Sequence, residues 1–88
     1  MTYTVTYTRR ARHDLRKLPP QVAQRIVMAV SAIKESPYTH LRKMGGFSQN
    51  PVYRLRVGEY RVILTVEDEH LLILVLEARH RSRVYRKY

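Results

Sequence analysis

The sequence predicts an α+β fold in the order β-α-α-β-β-β, with two N-terminal helices packed on one face of a small antiparallel sheet. The chain opens with threonines alternating against Tyr3, Val5 and Tyr7, the period of a strand rich in β-branched and aromatic residues. Two stretches with helical spacing of apolar residues then meet at Pro19-Pro20. Later the period returns to two, in runs on either side of Gly58-Glu59, and a nearly continuous apolar run over residues 71–78 follows.

Each element has a local reason. Thr8 is suited to cap a first helix over residues 9–18, where Ala11, Leu15 and Leu18 fall on one side and Arg9, Arg10, Arg12 and Arg16 largely on the others. Pro19 ends that helix, because the residue before a proline is pushed out of the helical region. Pro20 suits the first turn of the next, whose broad apolar face is Val22, Ala23, Ile26, Val27, Val30 and Ile33 and which Ser36-Pro37 closes. Residues 36–51, with Pro37, Gly45, Gly46, Asn50 and Pro51, form a connection long enough to be either functional or host to a short strand. Tyr53, Leu55 and Val57, then Tyr60, Val62, Leu64 and Val66, make a hairpin whose two-residue loop with glycine first matches a type II′ turn. Residues 71–78 are too few for most helices and follow a charged turn, Glu67-Asp68-Glu69-His70, so they read as a central strand.

A chain of 88 residues supports one modest core, since at this size roughly 60 to 65% of the unfolded surface is buried. Its 44% hydrophobic and 27% charged residues are those of a folded chain rather than a disordered basic tail. The formal charge of +10 opposes compaction and calls for an anionic partner, a polyanion or an acidic protein. Thirteen of the seventeen cations are arginines, whose planar fork grips phosphate through two parallel donors, although a GC-rich genome would also raise this ratio. The absence of cysteine excludes disulfides, Cys-based zinc sites and thiol nucleophiles. No apolar run reaches a membrane span, and the threonine-interrupted N-terminus lacks a signal-peptide core, so the cytoplasm is the expected compartment.

The chemistry concentrates in the hairpin and the tail. With Gly58 and Glu59 as the turn, Val57 faces Tyr60 and Arg56 faces Arg61, and Arg54 joins them on the same face two residues along. Like charges directly opposite are destabilising, so this face is either an ordinary solvated one or a phosphate site. Residues 79–88 carry Arg79, Arg81, Arg83, Arg86 and Lys87 with no acid, interleaved with Tyr85 and Tyr88. Cations with aromatic rings suit single-stranded RNA, while a frayed basic terminus would bind polyanions without specificity. His13, His40 and His70 read as surface or packing residues.

Tyr53-Arg54-Leu55-Arg56-Val57-Gly58-Glu59-Tyr60-Arg61-Val62 resembles the central hairpin of RelE/ParE-superfamily toxins, and His80-Arg81-Ser82-Arg83-Val84-Tyr85 resembles their closing motif. Ala11, Asp14-Leu15 and Lys17-Leu18-Pro19 resemble the first-helix signature, and Leu41 through Gly45 the short basic lead into the hairpin. The resemblance covers residues 1–88 as one RelE-like toxin domain. It implies a type II toxin neutralised by a cognate antitoxin and, in the RelE branch, ribosome-dependent mRNA cleavage by 2′-hydroxyl attack, with no metal or cofactor. Carried over, the catalytic positions are Arg54, Arg56, Arg61, Arg81 and Tyr85. Arg79 rivals Arg81, and His80 rivals Tyr85 as proton acceptor. Arg83, Arg86, Lys87 and Lys43 would hold RNA or ribosome. Arg54 and Arg56 stand where lysines can occur, and arginine stabilises charge without exchanging protons at neutral pH. The alternatives are a ParE-type inhibitor of DNA gyrase without nuclease activity and a non-catalytic RNA-binding module.

Overall fold

The structure, a computed structural model, describes residues 1–45 and 51–83. Strand β1 (Thr4–Tyr7) leads into α1 (Arg9–Lys17), where the Thr8 hydroxyl accepts the Ala11 N–H at 3.0 Å, the expected cap. Leu18 is extended, as the following proline demands, and α2 (Pro20–Ala32) starts on Pro20. That helix stops short of Ser36-Pro37. Ile33, Lys34 and Ser36 instead donate their N–H groups three residues back, to Val30, Ser31 and Ile33, a tightening that precedes the single turn α3 (Pro37–His40).

Four further strands follow: β2 (Arg42–Gly45), β3 (Val52–Val57), β4 (Tyr60–Glu67) and β5 (Leu72–His80). The sheet order is β1-β5-β4-β3-β2, five strands in place of the expected four, because the connection before the hairpin does contain a strand. All pairs are antiparallel except β1 with β5, which is parallel and makes β5 an interior strand. Between β4 and β5 the ladder shifts: Val75 opposes Leu64 but Glu77 opposes Ile63, so Leu76 is an extra residue, a β-bulge. This explains how Ile73, Val75 and Ala78 all reach the core although unbroken alternation would separate Val75 from Ala78.

Ala11, Ile26, Val30 and Ile33 pack from the helices onto Leu55, Val62, Leu64, Ile73, Val75 and Ala78. Each fully buried valine or isoleucine contributes about 1.5–3 kcal/mol. Val27, assigned by periodicity to the same apolar face, is instead 43% exposed. The buried stripe is the narrower Ile26, Val30 and Ile33, at helical spacings of four and three, with Val22 and Ala29 packing at its margins. Among the described residues, no helix is long and apolar enough to cross a membrane.

β1 ends at Tyr7, opposite Val75, while β5 continues to His80, so an edge of β5 would be bare there. The start of α1 covers it. The Thr8 N–H bonds the Val75 carbonyl (3.0 Å), the Thr8 hydroxyl donates to the Leu76 carbonyl (3.0 Å), and Asp14 Oδ2 accepts the Ala78 N–H (3.1 Å). Asp14 and Glu77, only 8% and 3% exposed, are buried with arginines around them. Arg10 lies 3.4 Å from Asp14 and 3.5 Å from Glu77, and Arg79 lies 3.3 Å from Glu77 and 3.8 Å from Asp14. Removing one member strands the others, so Asp14→Ala should cost about 2–3 kcal/mol, read as a lower urea midpoint at unchanged slope.

At the opposite end, Asp68 Oδ1 accepts the phenols of Tyr3 and Tyr38, both at 2.8 Å, tying the β4–β5 turn to the approach to β1 and to α3. The Tyr38 ring also stands edge-on to Tyr53 at 5.5 Å. Burial first, then the hydrogen bond to Asp68, hold the Tyr38 phenol well above its ordinary value near 10, and the same bond is the main cause of a rise at Tyr3. Above about pH 10 the unfolded chain releases phenolic protons that the folded chain keeps. This contribution is therefore complete below about pH 10 and is lost as pH climbs through the higher folded values. Urea titrations at neutral and alkaline pH should show Tyr38→Phe less stable near pH 7 but falling less steeply above about pH 10.

Candidate nucleic-acid interface

The face of the sheet turned away from the core cluster carries the arginines. Arg56 of β3 opposes Arg61 of β4, which opposes Arg79 of β5, so a row of guanidiniums crosses three strands in direct register. The hairpin turn sets that register. Gly58 has φ +59° while Glu59 does not share the left-handed region, as a type II′ turn requires. One step along, Arg42 of β2 opposes Arg54 of β3 and extends the cationic face to the sheet edge. Arg81 is drawn to the turn: its N–H donates to the Glu59 carbonyl at 2.8 Å, and its guanidinium lies 3.3 Å from the Glu59 carboxylate.

Arg61 is at the centre of this arrangement. Partial burial, then the positive charges of Arg54, Arg56 and Arg81 in that order, lower its pKa, with Glu59 opposing them. The guanidinium stays charged at neutral pH, and the shift reflects burial first and the surrounding cations second. Among the described residues, none of Arg54, Arg56 and Arg61 forms an ion pair. Glu59 is 58% exposed, and such a surface pair with Arg81 contributes about 0–1 kcal/mol. Arg79 differs. Though in register with Arg61, its guanidinium is held by Glu77 and Asp14 and is not among the charges that perturb Arg61.

The remaining expected residues lie elsewhere. His80 is beyond the bulge and opposes Tyr60, its ring edge-on to Tyr60 at 5.5 Å and its Nδ1 3.0 Å from the Ser82 hydroxyl. Tyr60 packs against the core, so His80 lies on the helix side of the sheet, across from Arg61. Lys43 opposes Tyr53, another core-facing ring, and shares that side. Arg83 is exposed in the turn after β5, its N–H donating to the His80 carbonyl at 3.0 Å. Tyr85, Arg86 and Lys87 lie outside the described residues.

Sequence reasoning missed Arg42, because β2 was not resolved from the connection, and it missed the structural role of Asp14. A signal for the second existed: Ala11, Asp14, Leu15 and Leu18 share one helical stripe, and an acid within an apolar stripe needs a partner.

A family model for the ParE toxin of type II toxin–antitoxin systems matches residues 5–85. The chain belongs to the RelE/ParE superfamily of toxins. It is 33% identical to Toxin RelG of Mycobacterium tuberculosis over 92 aligned positions, covering 99% of this chain and 100% of the relative. It is 30% identical to the mRNA interferase toxin RelE of Escherichia coli over 87 positions, covering 97% and 92%. Of solved structures, the toxin–antitoxin complex RelBE2 from Mycobacterium tuberculosis matches with TM-score 0.80 at 30% identity, covering 92% of this chain and 100% of the other. The archaeal RelE–RelB complex from Pyrococcus horikoshii matches with TM-score 0.79 at 27% identity, covering 96% and 100%. The toxin is thus of the RelE kind, with the α+β fold of RelE structures.

In this RelE/ParE toxin the arginine face opposes stability, so relieving it should stabilise the fold. Arg56→Thr removes the charge opposite Arg61 and should raise the unfolding free energy by about 0.5 kcal/mol in urea. The same variant should bind single-stranded RNA more weakly by fluorescence anisotropy, with a salt slope shallower by about one.

Proposed function

We propose that this toxin is an endoribonuclease that cleaves mRNA on the ribosome, and that a cognate antitoxin protein holds it idle by covering the arginine face. The observation that carries the reading is the set Arg54, Arg56, Arg61 and Arg81, gathered with one exposed carboxylate among them. Such a site costs stability and answers to an anion. Relatives named as mRNA interferases and neighbours solved as RelB complexes support the same reading.

In the proposed reaction a 2′-hydroxyl attacks its adjacent phosphate. The new bond joins the 2′ oxygen to phosphorus, the bond to the 5′ oxygen breaks, and that oxygen takes a proton from water, leaving a cyclic phosphate and a 5′-hydroxyl. Negative charge grows on the non-bridging and departing oxygens, where preorganised guanidiniums stabilise it. Arg61 and Arg81 take that role, with Arg54 and Arg56 gripping the backbone. Arg81 is preferred to Arg79 because its exposed partner Glu59 exchanges readily for a phosphate, whereas Arg79 is committed to two buried carboxylates. Arginine cannot accept the 2′ proton, and His80 lies across the sheet from Arg61, so the 2′ proton goes to Tyr85 acting as its phenolate.

Single-turnover cleavage of mRNA in programmed ribosomes, read by primer extension, tests this. Cuts should fall in register with codons. Arg61→Ala should slow them about 10²-fold or more, and Arg61→Lys should recover part of the loss. Tyr85→Phe should slow the chemical step while ribosome binding persists, and His80→Gln should leave the rate near that of the parent. Growth arrest without any codon-registered cut would return the chain to the gyrase-blocking reading.

A further inference from the structure

Between α1 and the C-terminal end of β5 lies an open cleft of about 790 Å³, within the size range of small-ligand sites, about 300–1,000 Å³. It borders the core at Ala78 and the arginine row at Arg79. Its charge is unbalanced in a particular way. Asp14, the acid on its wall, is already engaged by Arg10 and Arg79 and by the Ala78 N–H. Lys17 and Arg83, also on the wall, are exposed and form no ion pair among the described residues. Beside these cations lie Leu18 and the edge-to-face rings of Tyr60 and His80. An apolar and aromatic wall with cations at the rim fits a ligand that is flat at one end and anionic at the other.

We propose that this cleft is a nucleotide subsite, taking a base and phosphate of the RNA strand that flank those held at the arginine cluster; the proposal rests on the RNA reading above. Position favours RNA over an acidic peptide. Arg79 lines the cleft and stands next to Arg61 in register, one strand spacing away, about 4.8 Å, so the cleft opens where the row of arginines ends. A strand laid along the row reaches the cleft, whose rings lie on the helix side, by turning round the C-terminal end of β5. A peptide carboxylate would use the cations and leave the rings without a partner.

The test uses a 2′-O-methyl RNA hexamer, which cannot attack its own phosphates, and the matching dinucleotide, titrated into isotopically labelled protein and followed by amide shifts and anisotropy. His13 and Lys17 are exposed on α1, so His13→Gln should leave the melting temperature unchanged, and Lys17→Glu, like Arg16→Glu in the same last turn, should lower it by a few degrees at most. Hexamer binding should shift the amides of residues 13, 17 and 80. Lys17→Glu should weaken hexamer binding about tenfold and dinucleotide binding much less, because the shorter ligand is satisfied at the arginine cluster alone. Arg16→Glu, an equal charge change outside the cleft, should leave hexamer affinity within about twofold. Hexamer affinity that falls in Arg56→Thr but not in Lys17→Glu would overturn the subsite and leave the RNA reading standing. No hexamer binding, with hexaglutamate bound and then lost in Lys17→Glu, would overturn both and make the cleft a protein interface.

Discussion

The hydrogen bond from the Ala78 N–H to the Asp14 carboxylate does the work of a missing strand. β1 ends before β5 does, and a bare inner edge would leave unpaired backbone groups beside the core. Thr8 and Asp14 satisfy three of those groups from the start of α1, which docks the helix against the strand. Burying the carboxylate there requires cations, and Arg10 and Arg79 supply them, with Glu77 shared between the two. One edge interaction thus decides where α1 lies and which arginine of the row is neutralised.

The arginine face follows from that division. Three arginines stand in register across β3, β4 and β5, and the buried acids compensate only the one at the β5 end. Arg61 is left facing Arg54, Arg56 and Arg81, in a positive potential that Glu59 offsets only in part. A fold selected for stability alone would mix signs on this surface. The repulsion is tolerable because the other end of the sheet is well tied, with Asp68 joining two phenols and Tyr38 packing on Tyr53. The Asp68 tie and the uncompensated arginines therefore sit at opposite ends of the same strands.

Much of this was legible in the sequence where the cause is local. Thr8, Pro19 and Pro20 mark the helix ends through chemistry confined to a few residues, and the structure places the boundaries there. The two-residue turn at Gly58-Glu59 makes Arg56 oppose Arg61 with no reference to the rest of the chain. The resemblance motifs pointed to the right superfamily. What periodicity could not supply was lateral. β2 is short and lies at an edge among glycines, so its pairing partner, and with it the role of Arg42, is visible only once β3 is beside it.

The sequence by itself determined β1, α1, α2 and the last three strands, the hairpin register and the excess of arginine, because each depends on residues close together along the chain. Tertiary structure decided which side of the sheet the end of β5 presents. Plain alternation from Ile73 and Val75 would put Arg79 toward the helices and His80 beside the arginines. The bulge at Leu76 inserts one residue, and a one-residue slip exchanges the two faces: Arg79 joins the register of Arg61, and His80 turns to Tyr60. That slip lets Ala78 enter the core and leaves its N–H for Asp14, a contact 64 residues away in sequence that no local pattern encodes.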